Sequence, residues 1–254
     1  MSREDFRRAV TAEPIDLARA CLLIGSEVEP DLDVAAGLAE LQVLAGQVQA
    51  PDPADPEGTA RALREVLTEF RGSAADYADP RSSLLHDVLR RRRGLPILLV
   101  VVWLEVARRA GLQAFPVGLP GYFLAGLGSP EGSHFLVDAF TGGTHVGPIP
   151  PGARPYEDGE VVLRVLNNIR ALASTRPALV ESSRTALWAT ELSLLLPRHP
   201  AELRRERGLL LVRVGRFAEG ARDLEEFADA VSHVDDEAAD SVRHEARMAR
   251  SRLN

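Results

Sequence analysis

The 254 residues, 45% apolar and 26% charged, suffice for one large or two small domains with a well-filled core. A net charge of −7 argues against general nucleic-acid binding, and a single cysteine rules out an internal disulfide and fits a reducing compartment. Residues 1–6 are charged, without the apolar run of a signal peptide, so a soluble, cytoplasmic protein with no membrane association is expected.

Residues 3–50 predict two or three helices. Ile15, Leu17, Ala18, Cys21, Leu22 and Ile24 make one apolar face, and Val34, Leu38, Leu41, Val43 and Leu44 another, with Pro30-Asp31 between them. Cys21, on an apolar face, reads as a small core residue and not a nucleophile. The proline-rich stretch 51–56 is a loop, and a helix from Thr59 to Phe70 stops at Gly72 and Ser73. Pro80-Arg81-Ser82-Ser83 then leads into a helix over 84–93 with a serine N-cap. That helix ends in Arg90-Arg91-Arg92-Arg93, which suits a solvated turn complementing the helix dipole, an anion or acidic-partner contact, or an arginine paired with a core carboxylate.

Residues 94–111 read as one buried helix. Pro96 sits in the first turn, where its missing N–H costs nothing; Arg108 and Arg109 fall in the last turn; Gly111 supplies a left-handed cap. The apolar run from Leu95 to Leu104 is about half of a membrane span, and Glu105 ends it. Three strands follow, over 114–117, 121–127 and 134–139, with turn residues at 128–133. A hairpin centred near Pro130 sets Tyr122 opposite Asp138, Leu124 opposite Leu136 and Gly126 opposite His134, and gathers Phe123, Ala125, Leu127, Phe135, Val137 and Ala139 on an apolar face. Tyr122 and Asp138 are then expected in contact, about 5 Å apart at Cβ.

His86, His134 and His145 show no metal-ligand spacing, and Gly142-Gly143 is a turn and not a phosphate loop, so neither metal nor cofactor is predicted. Residues 148–152 form a proline-rich connector. Helices are predicted over 160–173, 179–196, 201–214, 217–231 and 235–252, with Thr175-Arg176-Pro177 breaking the first from the second. Two domains result, 1–160 and 161–254.

The ordered set Phe70-Arg71-Gly72, Asp76-Tyr77, Asp79-Pro80, Arg91-Arg92-Arg93-Gly94-Leu95-Pro96, Gly111-Leu112, Pro120-Gly121, Phe123-Leu124, Val137-Asp138 and Leu166-Asn167-Asn168 resembles the transglutaminase-like superfamily, most closely its SirB-type branch. Gly208, Leu211, Gly215, Phe217, Gly220 and Leu224 match the spacing of one tetratricopeptide repeat, with Arg204 where the first-helix aromatic belongs. The resemblance implies an α+β, predominantly helical fold: a degenerate papain-like core with a small antiparallel sheet, N-terminal helices, and a helical repeat-like tail.

Carried over residue by residue, the superfamily's cysteine slot falls on Pro96, its histidine slot on Tyr122, and only the aspartate slot, Asp138, is kept. The SirB-type branch itself tends to retain a serine and a histidine where this chain has Leu98 and Tyr122. Thiol acyl transfer needs a nucleophile beside an oriented base, and these slots no longer provide either. The expected role is therefore a protein-binding or regulatory module without catalysis. The alternatives are a divergent hydrolase or acyl-transfer enzyme built on Ser82, Ser83 or Ser133, with His134 on the same face as Asp138, and a small-ligand pocket between helix 96–110 and the sheet. The repeat resemblance places the concave face on Glu202, Arg205, Leu209, Val212 and Arg213, where two arginines among apolar residues suit an acidic or C-terminal carboxylate group of a protein partner.

Overall fold

The computed structural model describes residues 3–49, 51–52, 54–119, 121–148, 151–175 and 180–252. Pro53 of the 51–56 loop, Pro120, the middle of the 148–152 connector, and residues 176–179 at the predicted break and helix start lie outside the described residues. The chain divides into two compact units, Met1–Val165 and Leu166–Asn254. Eleven α-helices and one five-stranded antiparallel sheet are found among the described residues, and no helix there is long and apolar enough to cross a membrane.

The first unit begins with α1 (Arg3–Thr11), α2 (Leu17–Gly25), α3 (Val34–Gly46) and α4 (Pro56–Val66). Asp16, Asp33 and Asp55 cap α2, α3 and α4, each carboxylate accepting from a backbone N–H of the first turn. Cys21 is buried on α2, and burial, then the charges of Glu105, Asp158 and Asp16, push its thiol pKa far up. α5 spans Leu85–Arg91, and its N-cap is Leu84, not a serine, because Ser82 and Ser83 are taken up by a 3-10 turn over Pro80–Ser83.

α6 (Pro96–Arg109) is the centre of this unit, with Ile97 to Ala107 all buried. It ends in a Schellman cap: Gly111, at φ +79°, donates its N–H to Arg108 O and Leu112 donates to Ala107 O. Arg108 then grips Asp158 through two nitrogens (2.8 and 3.1 Å), fastening the start of α7 (Asp158–Ser174).

The sheet holds β1 (Ala114–Leu119), β2 (Tyr122–Gly128), β3 (His134–Asp138), β4 (Thr144–His145) and β5 (Arg154–Pro155) in the order β4-β3-β2-β1-β5. In the β2–β3 hairpin Gly126 pairs with Leu136 and Gly128 with His134. The turn closes one residue later than Pro130 predicts, because Gly128 takes φ +98° and Ser129 donates its N–H to Ser133 O. That displaces the pairing by two, which keeps the predicted faces but sets Asp138 beside Leu124 and not Tyr122. Phe115, Val117, Leu124 and Leu136 form their own buried cluster with Leu119 and Ala153, so the centre of this face is buried as well, while Tyr122 at its edge stays exposed. None of these is a helix residue, so α4 and α6, which pack on the sheet, meet the opposite face of Phe123, Ala125, Leu127 and Val137.

The second unit carries α8 (Val180–Ser193), α9 (Glu202–Arg213), α10 (Phe217–Val231) and α11 (Asp236–Ser251). α9 and α10 form a hairpin turned by Gly215 at φ +87°. They cross at Gly208 and Gly220: a Cβ on Gly220 would stand 2.7 Å from the Gly208 carbonyl oxygen. The repeat spacing seen in the sequence is thus a requirement for close backbone approach. Buried Asp223 on α10 receives Arg207 of α9 through two nitrogens.

Candidate functional site

Pro96 opens α6 beside the 3-10 turn over Pro80–Ser83; Leu95 donates its N–H to Ser82 O (2.9 Å). Gly94 passes so close to Val88 that a Cβ there would collide with it. The approach to Pro96 is fixed from below by Asp76, whose side chain is fully buried. Asp76 accepts from Ser82 Oγ (2.7 Å), Ser73 N (2.8 Å), Ser73 Oγ (3.0 Å), and Arg93 Nε and Nη2 (3.1 and 3.0 Å). Burial alone would raise its pKa, but the bonds from Arg93, Ser82 and Ser73 outweigh that and hold it at about 2.

The other arginines of the run are also engaged, Arg90 with Glu29 (2.7 Å), Arg91 with Asp79 (2.9 Å) and Arg92 with Glu40 (2.6 Å). Pairing with carboxylates, buried in the case of Arg93, is the reading that holds for this run. Asp76 was missed at the sequence level, although Ser73-x-x-Asp76 has the spacing of a capping box.

Tyr122, in the histidine slot, is 66% exposed, and its hydroxyl makes no hydrogen bond among the described residues. The expected Tyr122–Asp138 hydrogen bond is therefore absent, because the two residues stand diagonally across the β2–β3 pair. Asp138 instead caps the short turn after β3: its Oδ1 accepts from Phe140 N (2.9 Å). Phe140 is held by Gly72, whose N–H donates to Phe140 O (2.9 Å) and where any side chain would strike the Phe140 ring. Tyr77 packs its ring against Phe140 with centroids 5.7 Å apart and stays 56% exposed. Its pKa is raised by partial burial, then by the Asp138 carboxylate, then by Tyr122, which puts all three polar ends in one neighbourhood. The slots of Pro96, Tyr122 and Asp138 thus hold one carboxylate and neither a cysteine nor a histidine.

The serine alternatives have no base. Ser82 spends its hydroxyl on Asp76, Ser83 Oγ is buried without a partner, and Ser133 is exposed in the hairpin turn. His134 Nδ1 lies 3.0 Å from Gly132 O, and its ring meets Phe115 edge-on. His145 stacks on Phe135 (4.0 Å). His86 is buried on α5 with Nε2 3.5 Å from both Glu29 and Asp87. No serine hydroxyl is bonded to a histidine ring, and no group of three metal-ligating side chains occurs, among the described residues.

On α9 the five predicted partner-binding residues separate. Arg205 is bound through two nitrogens to Glu245 of α11 (2.8 and 3.3 Å), and Val212 is pressed against Gly220. Leu209 and Arg213 instead line a cavity of about 190 Å³ with Ser174, Ser182 and Glu206, and Glu202 is exposed. Glu206 is paired with Arg170 (2.6 Å), whereas Arg213 has no partner among the described residues.

Residues 35–148 match the transglutaminase-like superfamily and residues 178–254 match the tetratricopeptide repeat. A UPF0162 protein of Xylella fastidiosa strain 9a5c is 30% identical over 247 residues, covering 86% of this chain and 85% of that protein. A UPF0162 protein of Pseudomonas aeruginosa is 38% identical over 135 residues, covering 51% and 48%. UPF0162 protein YchA of Escherichia coli K12 is 28% identical over 179 residues, covering 63% and 64%. No solved structure matches this chain.

Proposed function

This chain belongs to the UPF0162 protein family, and from that premise we propose that it is a non-catalytic, protein-binding or regulatory member of the SirB-type branch, acting in the cytoplasm. The observation that carries this reading is the content of the three triad slots: a proline ring, an exposed tyrosine without a hydrogen-bond partner, and an aspartate turned to cap its own loop. Acyl transfer needs a nucleophile and a base in hydrogen-bond reach of each other, and no such pair stands at these slots.

Recognition falls to the repeat-like tail. The binding face is centred on Leu209 and Arg213, with Arg205 and Val212 positioning α9 through Glu245 and Gly220. A mixed cavity, with Leu209 and Leu210 beside serine hydroxyls, Glu206 already neutralised by Arg170 and an unpaired guanidinium at its rim, favours an acidic or C-terminal carboxylate group. The test is copurification of the tagged protein from its own host, with Leu209→Asp and Arg213→Glu combined in a second bait. Loss of a partner from the double variant, with circular dichroism unchanged, supports the assignment. An identical partner profile with an intact fold removes recognition from this face.

A further inference from the structure

The neighbourhood left by the degenerate triad carries its own recognition chemistry. Tyr77 and Tyr122 are exposed aromatic rings flanking a carboxylate, at 56% and 66%. Continuing the β2–β3 register by one residue places Asp138 beside Leu124, and Tyr122 diagonal to it on the same face, a spacing of roughly 7 Å that an aromatic side chain spans. Tyr77 reaches the same place from the 3-10 turn Ala74–Ala78, seated on Phe140, whose N–H engages Asp138 Oδ1. Asp138 Oδ2 has no partner among the described residues.

Elsewhere in the first unit guanidinium groups of the chain itself lie over aromatic rings, the half-buried Tyr156 and the buried Phe70. Arg154 and Arg164 lie over Tyr156 at 4.4 and 5.9 Å, and Arg92 lies over Phe70 at 4.7 Å. Among the described residues no cation lies over Tyr77 or Tyr122. Partial burial, and after it the Asp138 carboxylate, push the Tyr77 phenol pKa up, consistent with the negative charge lying near that ring.

The geometry points to a site at Tyr77, Tyr122 and Asp138 that receives an arginine side chain of a protein partner. A guanidinium lies flat on one tyrosine ring while donating in its own plane to Asp138 Oδ2, combining a cation–π contact with a charge-assisted hydrogen bond. The site lies in the first unit, independent of the tail, and requires no chemistry from the missing triad.

The three tyrosines make the test direct, because 3-fluorotyrosine labelling gives three fluorine resonances, for Tyr77, Tyr122 and Tyr156. The probes are acetyl-Gly-Arg-Gly-amide and its neutral citrulline counterpart. The arginine peptide is expected to shift the Tyr77 and Tyr122 resonances saturably and leave Tyr156 in place. The citrulline peptide is expected to shift none. Asp138→Asn retains an oxygen for Phe140 N–H and is expected to weaken the response about tenfold. Tyr122→Leu, at an exposed position, is expected to weaken it independently. Equal response to both peptides, no response to either, or undiminished binding by both variants overturns the assignment.

Discussion

Replacing Asp76 with asparagine removes the charge on which the loop before α6 converges. The carboxylate is buried and accepts five hydrogen bonds, two of them from the Arg93 guanidinium. Its pKa of about 2, against about 3.9 for an unperturbed aspartate, corresponds to roughly 2.5 kcal/mol at about 1.4 kcal/mol per pH unit. Because the folded-state value lies below the unfolded one, this contribution is complete above about pH 4 and is lost as the pH falls towards 2. Asparagine also turns an amide towards groups that need an acceptor, so Asp76→Asn is expected to cost about 3 kcal/mol at neutral pH. The assay is urea unfolding followed by Trp103 fluorescence in a Trp188→Phe background, since Trp103 lies in α6 of the same unit. The difference between the two proteins should shrink between pH 4 and pH 2. A loss under about 0.5 kcal/mol, or one that does not change over that range, refutes the proposed anchoring role.

Cys21→Ala is expected to cost no more than about 1 kcal/mol, and native Cys21 to resist a small alkylating reagent, because the thiol is buried and its pKa is raised; rapid native labelling would contradict this. Tyr122→Phe is expected to leave the urea midpoint unchanged within about 0.5 kcal/mol, since the hydroxyl has no partner among the described residues; a loss near 2 kcal/mol would mean that it does. Gly220→Ala sets a methyl group 2.7 Å from the Gly208 carbonyl oxygen and Val212, and is expected to destabilise the tail by about 1–3 kcal/mol, read from Trp188 fluorescence in urea; an unchanged transition would refute the close crossing of α9 and α10.

Features carried by local period and backbone chemistry were legible in the sequence. The buried helix with Pro96 at its start and Gly111 past its end is one, and the repeat spacing of Gly208 and Gly220, though not the crossing it serves, is another. The two faces of the hairpin also followed from alternation, yet the register did not. Gly128 and Gly132 both allow closure, and the choice between turns is made by the Ser129–Ser133 hydrogen bond. The serine N-cap failed because Ser82 and Ser83 are taken up by the 3-10 turn over Pro80–Ser83, which leaves Leu84 as the N-cap of α5. Arg205 failed for a long-range reason, since its orientation depends on where α11 places Glu245, forty residues away. Contacts of that kind have no signature in a local window, and they decided which of the expected site residues remain open.

The central claim, that this transglutaminase-like core performs no acyl chemistry, is tested most directly by the intact mass of the native protein after exposure to a fluorophosphonate probe. The account predicts no adduct, because Ser82 is bound to Asp76, Ser83 is buried, Ser133 is exposed in the hairpin turn, and no serine hydroxyl is bonded to a histidine among the described residues. One adduct per chain on any of these serines, abolished when the protein is denatured before labelling, would contradict it.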